Sequence, residues 1–195
     1  MLKQLTIATS KAASTAAIAA LLLAGAGTAQ AFTASSPDTP AGKKIDNKYV
    51  FKGFGCSGDN VSPTVAWKNP PKGTKSFAVF IHDPDAPTGG AGFWHWLVVD
   101  IPATTTVLDQ GAGTADGSKL PAGARHINTD FGTPGYGGPC PPVGDKAHRY
   151  NYTVYALKVD KLELPANATA SLTGFMVNGN AIGKAKFTAT YGRSK

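Results

Sequence analysis

Asp83, His95, His148 and Tyr150 are the side chains in this sequence best suited to acid–base or anion chemistry, and each lies in or beside an apolar run. Asp83 follows the run 77–82 (FAVFIH), His95 lies within 93–99 (FWHWLVV), and His148 and Tyr150 open the run that continues to residue 159. A strand alternates its side chains between two faces, so a two-residue period assigns each group a side. The period places Asp83 with Phe77, Val79 and Ile81, and His95 with Phe93, Leu97 and Val99. It places His148 with Tyr150, Tyr152 and Val154. One ionisable group on an apolar face is usually a hydrogen-bonded core residue. Three such groups, two of them where a strand meets a Gly/Pro loop, are better explained by a small polar pocket at one end of a sheet. Periodicity alone does not make the strands neighbours. The imidazoles would offer N–H donors and a switchable charge, the phenol a directed donor. The same set could instead serve hydrolytic or acid–base catalysis, or ligate a metal.

The elements that must position these groups are mostly strands. Residues 77–82, 94–101 (WHWLVVDI) and 150–159 (YNYTVYALKV) are rich in aromatic and branched side chains and bounded by Pro and Gly. Residues 49–51 and 65–67 are short strand candidates, and 187–191 (FTATY) a closing strand. The stretch 102–144 is turn-rich, and 170–185 has room for one or two short helices despite Gly174, Gly179 and Gly183. No strand–helix alternation of the kind that builds parallel sheets is present. Of 195 residues, 42% are hydrophobic and 16% charged, with 23 Gly and 14 Pro. That composition excludes coiled coil, collagen and disorder, and points to one mostly antiparallel β domain.

Residues 1–31 read as a signal peptide. Lys3 and Lys11 are the sole charges before Asp38, residues 16–27 are apolar or small, and Ala29-Gln30-Ala31 has the small-x-small form of a cleavage site. The alternative is an uncleaved anchor, but the apolar run falls short of the ~20 residues a span needs. No Cys stands near the cleavage site, which argues against a lipoprotein. Residues 32–195 then form the single mature domain, with no stable membrane insertion after cleavage. Loss of Lys3 and Lys11 lowers the formal charge from +7 to +5, and no Lys/Arg run marks a nucleic-acid surface. Export to the periplasm or beyond gives Cys56 and Cys140 an oxidising setting, where an even pair reads first as a disulfide and second as two free thiols. Two cysteines are too few for a structural zinc site.

The motif His82-Asp83-Pro84-Asp85-Ala86-Pro87, followed by Phe93-Trp94-His95-Trp96-Leu97-Val98-Val99, resembles the first signature block of the phosphatidylethanolamine-binding protein (PEBP) family. Gly137-Gly138-Pro139-Cys140-Pro141-Pro142, then His148-Arg149-Tyr150 and Tyr155-Ala156-Leu157, is similar to the second. Cys56-Ser57-Gly58-Asp59-Asn60-Val61-Ser62-Pro63, with Trp67 and Gly73-Thr74-Lys75-Ser76, resembles the lead-in of the exported bacterial branch described as Raf-kinase-inhibitor-like. The resemblance runs from about residue 44 to 193. It implies a mainly β, PEBP-like fold, with a large antiparallel sheet packed with a smaller sheet and short peripheral helices.

The resemblance also implies an anion pocket lined by Asp83, His95, His148 and Tyr150, with Pro142 and the Gly137–Gly138 backbone forming a wall whose N–H groups could face an oxyanion. Asp83 would hold a histidine in one tautomer and keep it partly protonated. Arg149, on the opposite strand face, would pair with Asp85, while His82 and, in a loop, His126 stay outside the pocket. A disulfide at Cys140 would fix the pocket wall. The implied function is non-catalytic binding of an anionic or phosphoryl group, in a regulator or inhibitor of a partner protein. The expected partners are a small anionic or phosphorylated ligand, a protein partner and a second copy in a homodimer. No cofactor is implied. The rival readings are an acid–base or hydrolytic enzyme using Asp83, His95 and His148, and a metal-binding protein. Against the first, the signature blocks offer no available Ser or Cys nucleophile. Against the second, the local His-x-x-x-His spacing is missing.

Overall fold

A computed structural model describes residues 30–195, and the leader expected at 1–31 lies almost wholly outside that range. The strands are β1 (Thr33–Ser35), β2 (Lys52–Gly53), β3 (Cys56–Ser57), β4 (Val65–Lys68), β5 (Ser76–Asp83), β6 (Phe93–Pro102), β7 (Val107–Leu108), β8 (Arg125–His126), β9 (His148–Leu157) and β10 (Ala181–Tyr191). Among the described residues one α-helix, α1 (Ala170–Asn180), leads directly into β10. The large sheet has the order β10-β9-β5-β6-β8, the smaller sheet the order β1-β4-β7, and β2-β3 is a separate hairpin. All three are antiparallel, which confirms a mainly β fold with a large and a smaller sheet.

The branched and aromatic content of β5, β6 and β9 suits a sheet buried on both faces. On one face Phe77, Val79, Ile81, Trp96, Val98, Tyr152 and Val154 meet Val65 and Trp67 of the smaller sheet. On the other, Ala78, Phe80, Leu97, Val99 and Leu157 meet Leu162, Ala170 and Val177.

The local elements differ from expectation in several places. Asn47–Tyr49 is a 3₁₀ turn, not the start of a strand, because the Asp46 carboxylate accepts the Lys48 N–H at 2.9 Å. The helical stretch yields a single helix capped by Thr169, which accepts the Leu172 N–H at 3.1 Å. The closing strand begins at Ala181, well before residue 187. The turn-rich segment carries the short strands β7 and β8, and His126 belongs to β8, where its Nδ1 accepts the Trp96 indole N–H at 3.2 Å.

The difference that matters most is the face of β6. Ile81 pairs with Trp96, but the next pair is His82 with Trp94, so His95 is an extra residue in the ladder. This β-bulge reverses the alternation. Leu97 and Val99 point toward α1, while Trp96 and Val98 take the face opposite. The expectation that His95 shares a face with Leu97 and Val99 is therefore incorrect. A second shift, between the Phe77 and Val79 pairs, falls beside Asp100, whose φ of +59° is left-handed.

Candidate functional site

Antiparallel order brings the end of β5, the start of β6 and the start of β9 to one edge of the large sheet. Asp83, Phe93, His95, His148 and Tyr150 consequently line one cavity of about 160 Å³, with Phe54, Ala86, Pro87, Thr88, Phe131, Cys140, Pro141 and Pro142. Five of the six residues expected at the pocket are thus brought together. Gly138 is not among the lining residues. Its N–H donates to Asn60 Oδ1 at 2.8 Å, and the Gly137 N–H donates to the His95 carbonyl at 2.9 Å. The expected pair of glycine donors is therefore spent inside the fold. Gly138 is required for another reason: a Cβ there would come within 2.1 Å of the Tyr49 carbonyl oxygen.

Asp83 is buried, and both its oxygens have partners. Oδ1 accepts the Asp85 N–H at 2.8 Å and Oδ2 accepts His148 Nδ1–H at 2.7 Å. This fixes the His148 tautomer and turns its Nε2 toward Asp145, 3.4 Å away. His95 donates Nδ1–H to the Gly137 carbonyl at 2.7 Å. Burial of its ring lowers its pKa to about 4, against the opposing pull of that carbonyl and of Asp83. At neutral pH His95 is thus neutral, with Nε2 as an acceptor. The histidine that Asp83 holds is His148, while burial keeps His95 uncharged.

Tyr150 is buried, and its hydroxyl makes no hydrogen bond within 3.5 Å among the described residues, although the Asp83 carboxylate lies within its reach. Burial, reinforced by the Asp83 carboxylate, pushes the phenol far above its ordinary pKa, so it remains an O–H donor. Thr88, the one aliphatic hydroxyl in the lining, donates to the Gly92 carbonyl at 2.9 Å. Among the described residues no three His, Cys, Asp or Glu side chains converge as metal ligands.

The cavity mouth was not legible in the strand pattern. Phe54 stands at the tip of the β2–β3 hairpin, 76% exposed, with φ of +50°. A bulky residue in the left-handed region is an outlier. Phe54 is held there by its neighbours. Cys56 is joined to Cys140, the disulfide expected, and the Arg193 guanidinium donates to the Gly55 carbonyl at 2.6 Å and to Pro141 at 3.3 Å. Phe54 and Phe131, stacked at 6.0 Å, also border a wider groove of about 480 Å³ that includes Asn60, Ser62, Thr114, Lys119 and Tyr136. Beneath the loop Arg149 pairs with Asp85 as expected, through contacts of 2.9 and 2.6 Å.

A family model described as phosphatidylethanolamine-binding protein matches residues 35–192. The chain is 50% identical to the UPF0098 protein YbcL of Escherichia coli over 163 residues, covering 84% of this chain and 88% of YbcL. A Mycobacterium tuberculosis protein named as a lipoprotein, LppC, is 37% identical over 138 residues, 71% of this chain and 63% of LppC. The crystal structure of E. coli YbcL superposes with a TM-score of 0.80 at 49% identity, covering 83% of this chain and 98% of that one. A homologue from Chlamydia trachomatis gives a TM-score of 0.70 at 27% identity, covering 84% and 98%.

Proposed function

The chain belongs to the phosphatidylethanolamine-binding protein family, and from that premise we propose that it is a non-catalytic binding protein for a compact phosphoryl or carboxyl head group. The observation that carries this reading is the convergence of Asp83, His95, His148 and Tyr150 on the wall of one 160 Å³ cavity. The Tyr150 hydroxyl makes no hydrogen bond within 3.5 Å and has only Asp83 near it, so its proton is available to an acceptor on a ligand. The cavity is smaller than the ~300–1,000 Å³ of drug-sized sites, and a head group suits it better than a whole lipid. The rest of the ligand would pass over Phe54 toward the wider groove.

Neutral His95 sets the protonation of the ligand. An acceptor Nε2 favours a monoanionic phosphomonoester, whose remaining P–OH can donate to it, over the dianion. Affinity should then fall as pH rises through the ligand's second pKa of about 6. A binding role also fits the chemistry of the wall. Thr88 is engaged, Cys140 is oxidised, and no activated nucleophile stands beside the histidines.

The disulfide, together with a relative named as a lipoprotein, supports a place of work outside the cytoplasm, in the periplasm or the medium. Regulation of a partner protein is the family-level extension of this reading.

Calorimetric titration with phosphoethanolamine and with inorganic phosphate, from about pH 5 to 8, tests the proposal. Tyr150→Phe should weaken binding roughly tenfold, the magnitude of one hydrogen bond to a charged group. His148→Ala should weaken it further, while Lys161→Ala should change nothing. Affinity that is flat with pH and indifferent to both pocket substitutions overturns the reading.

A further inference from the structure

The face of the large sheet that carries α1 is covered only in part. Toward His82, Trp94 and Asn151 it opens into a concavity of about 230 Å³, remote in character from the histidine pocket and sharing no lining residue with it. Its floor is four rings from adjacent strands, Phe80, His82, Trp94 and Tyr155, with the His82 ring lying 4.2 Å from that of Trp94. Phe80 of β5 lies 5.6 Å from Trp94 of β6 and 5.2 Å from Tyr155 of β9, centroid to centroid. Phe80 is buried, while Trp94 and Tyr155 are half-exposed.

The rim is made of hydrogen-bond donors. Lys184 and Lys186 lie two apart on β10, on one face and roughly 7 Å apart along the strand, in register with Tyr155 and Thr153. Both are exposed and in no ion pair among the described residues, and no carboxylate lines the concavity. The Trp94 indole N–H, the Asn151 amide N–H₂ and the Thr153 and Tyr155 hydroxyls likewise have no internal partner among the described residues. The Asn151 amide oxygen is already occupied by the Thr188 hydroxyl at 2.8 Å, so that side chain faces a ligand as a donor.

An apolar floor with a rim of donors and two ammonium groups fits a ligand with a flat apolar side, many acceptors and negative charge. We propose that this concavity binds an acidic sugar, one or two pyranose rings bearing carboxylate or sulfate. The C–H face of the ring packs on Trp94 and Tyr155. The hydroxyl oxygens accept from Asn151, Thr153 and the indole, and the anionic group lies between Lys184 and Lys186. A single-stranded nucleic acid fits less well. Its phosphates need cations along a track, whereas here they flank one side alone, and the nearby Arg149 is neutralised by Asp85.

Tryptophan fluorescence offers a direct readout, because Trp67 and Trp96 are 2% and 0% exposed and Trp94 is the remaining tryptophan. The intact exported chain is titrated with a heparin-derived tetrasaccharide, a polygalacturonate tetrasaccharide, neutral maltotetraose and an eight-nucleotide oligothymidylate. At least one acidic tetrasaccharide should shift the emission and bind at least tenfold more tightly than maltotetraose. The surface double variant Lys184→Ala/Lys186→Ala should lose at least tenfold, whereas Tyr150→Phe, in the other pocket, should bind as the wild type does. No response to either acidic tetrasaccharide, a response that survives the double lysine substitution, or tighter binding of the oligothymidylate overturns the proposal. None of these outcomes bears on the phosphomonoester titration.

Discussion

His95 is the residue where burial and function pull hardest against each other. Its pKa near 4 in the folded chain, against about 6.5 when unfolded, means that the unfolded chain takes up the extra proton between those values. The stability this residue contributes is full above about pH 6.5 and is lost as pH falls toward 4, up to roughly 3 kcal/mol. Urea unfolding at pH 7.5 and 4.5 should show that loss. His95→Gln, whose amide can still donate to Gly137, should flatten the dependence by about 1–3 kcal/mol. An unchanged pH slope would contradict a neutral, buried His95. The residue types of the site were legible because apolar runs seldom carry Asp and His on their buried sides. Charge state was not. It depends on the Gly137 carbonyl and on the depth of burial, neither of which has a local sequence signal.

At the scale of elements, the site rests on a bulge and a hairpin. The period-two reading succeeded for β5 and β9, where the alternation is unbroken from Phe77 to Asp83 and from His148 to Val154. It failed in β6, because one extra residue at His95 reverses the pleat and no residue type announces a bulge there. Phe54 and Phe131 went unnoticed for a different reason: they sit in turns, which have no period to read. The β2–β3 hairpin that carries Phe54 is too short to be stable alone and relies on Cys56–Cys140 and Arg193. A loop with a sequence separation of 84 residues corresponds to about 4–5 kcal/mol in the chain-entropy treatment. The double variant Cys56→Ser/Cys140→Ser should therefore lose several kcal/mol in chemical denaturation. Because Cys140 and Phe54 both line the cavity, it should also bind phosphoethanolamine less tightly at temperatures where it is fully folded. Reduced stability with unaltered affinity would make the bridge purely structural.

For the molecule as a whole, Asp83, His95 and His148 meet only after β9 has crossed back to pair with β5, so the pocket exists in the completed sheet and in no smaller piece of it. The broad architecture was legible from composition and the three strong strands. The division of labour between the two faces of the large sheet, one against the smaller sheet and one shared by α1 and the donor-rimmed concavity, emerged from the three-dimensional arrangement. The disulfide has a further, topological side. Backbone and bridge together close a covalent ring from Cys56 to Cys140 that contains β4 to β8, while β9, α1 and β10 hang from it as a tail. Several exposed lysines, among them Lys72 and Lys119, lie on that ring. One peptide bond cut there opens the ring without dividing the molecule, and the two fragments stay tethered as sheet partners at high effective concentration. Brief trypsin treatment should give a nicked protein that migrates as one band unreduced and as two after reduction, and that still binds phosphoethanolamine until the bridge is broken. The bridge would thus let the fold survive its first backbone cut.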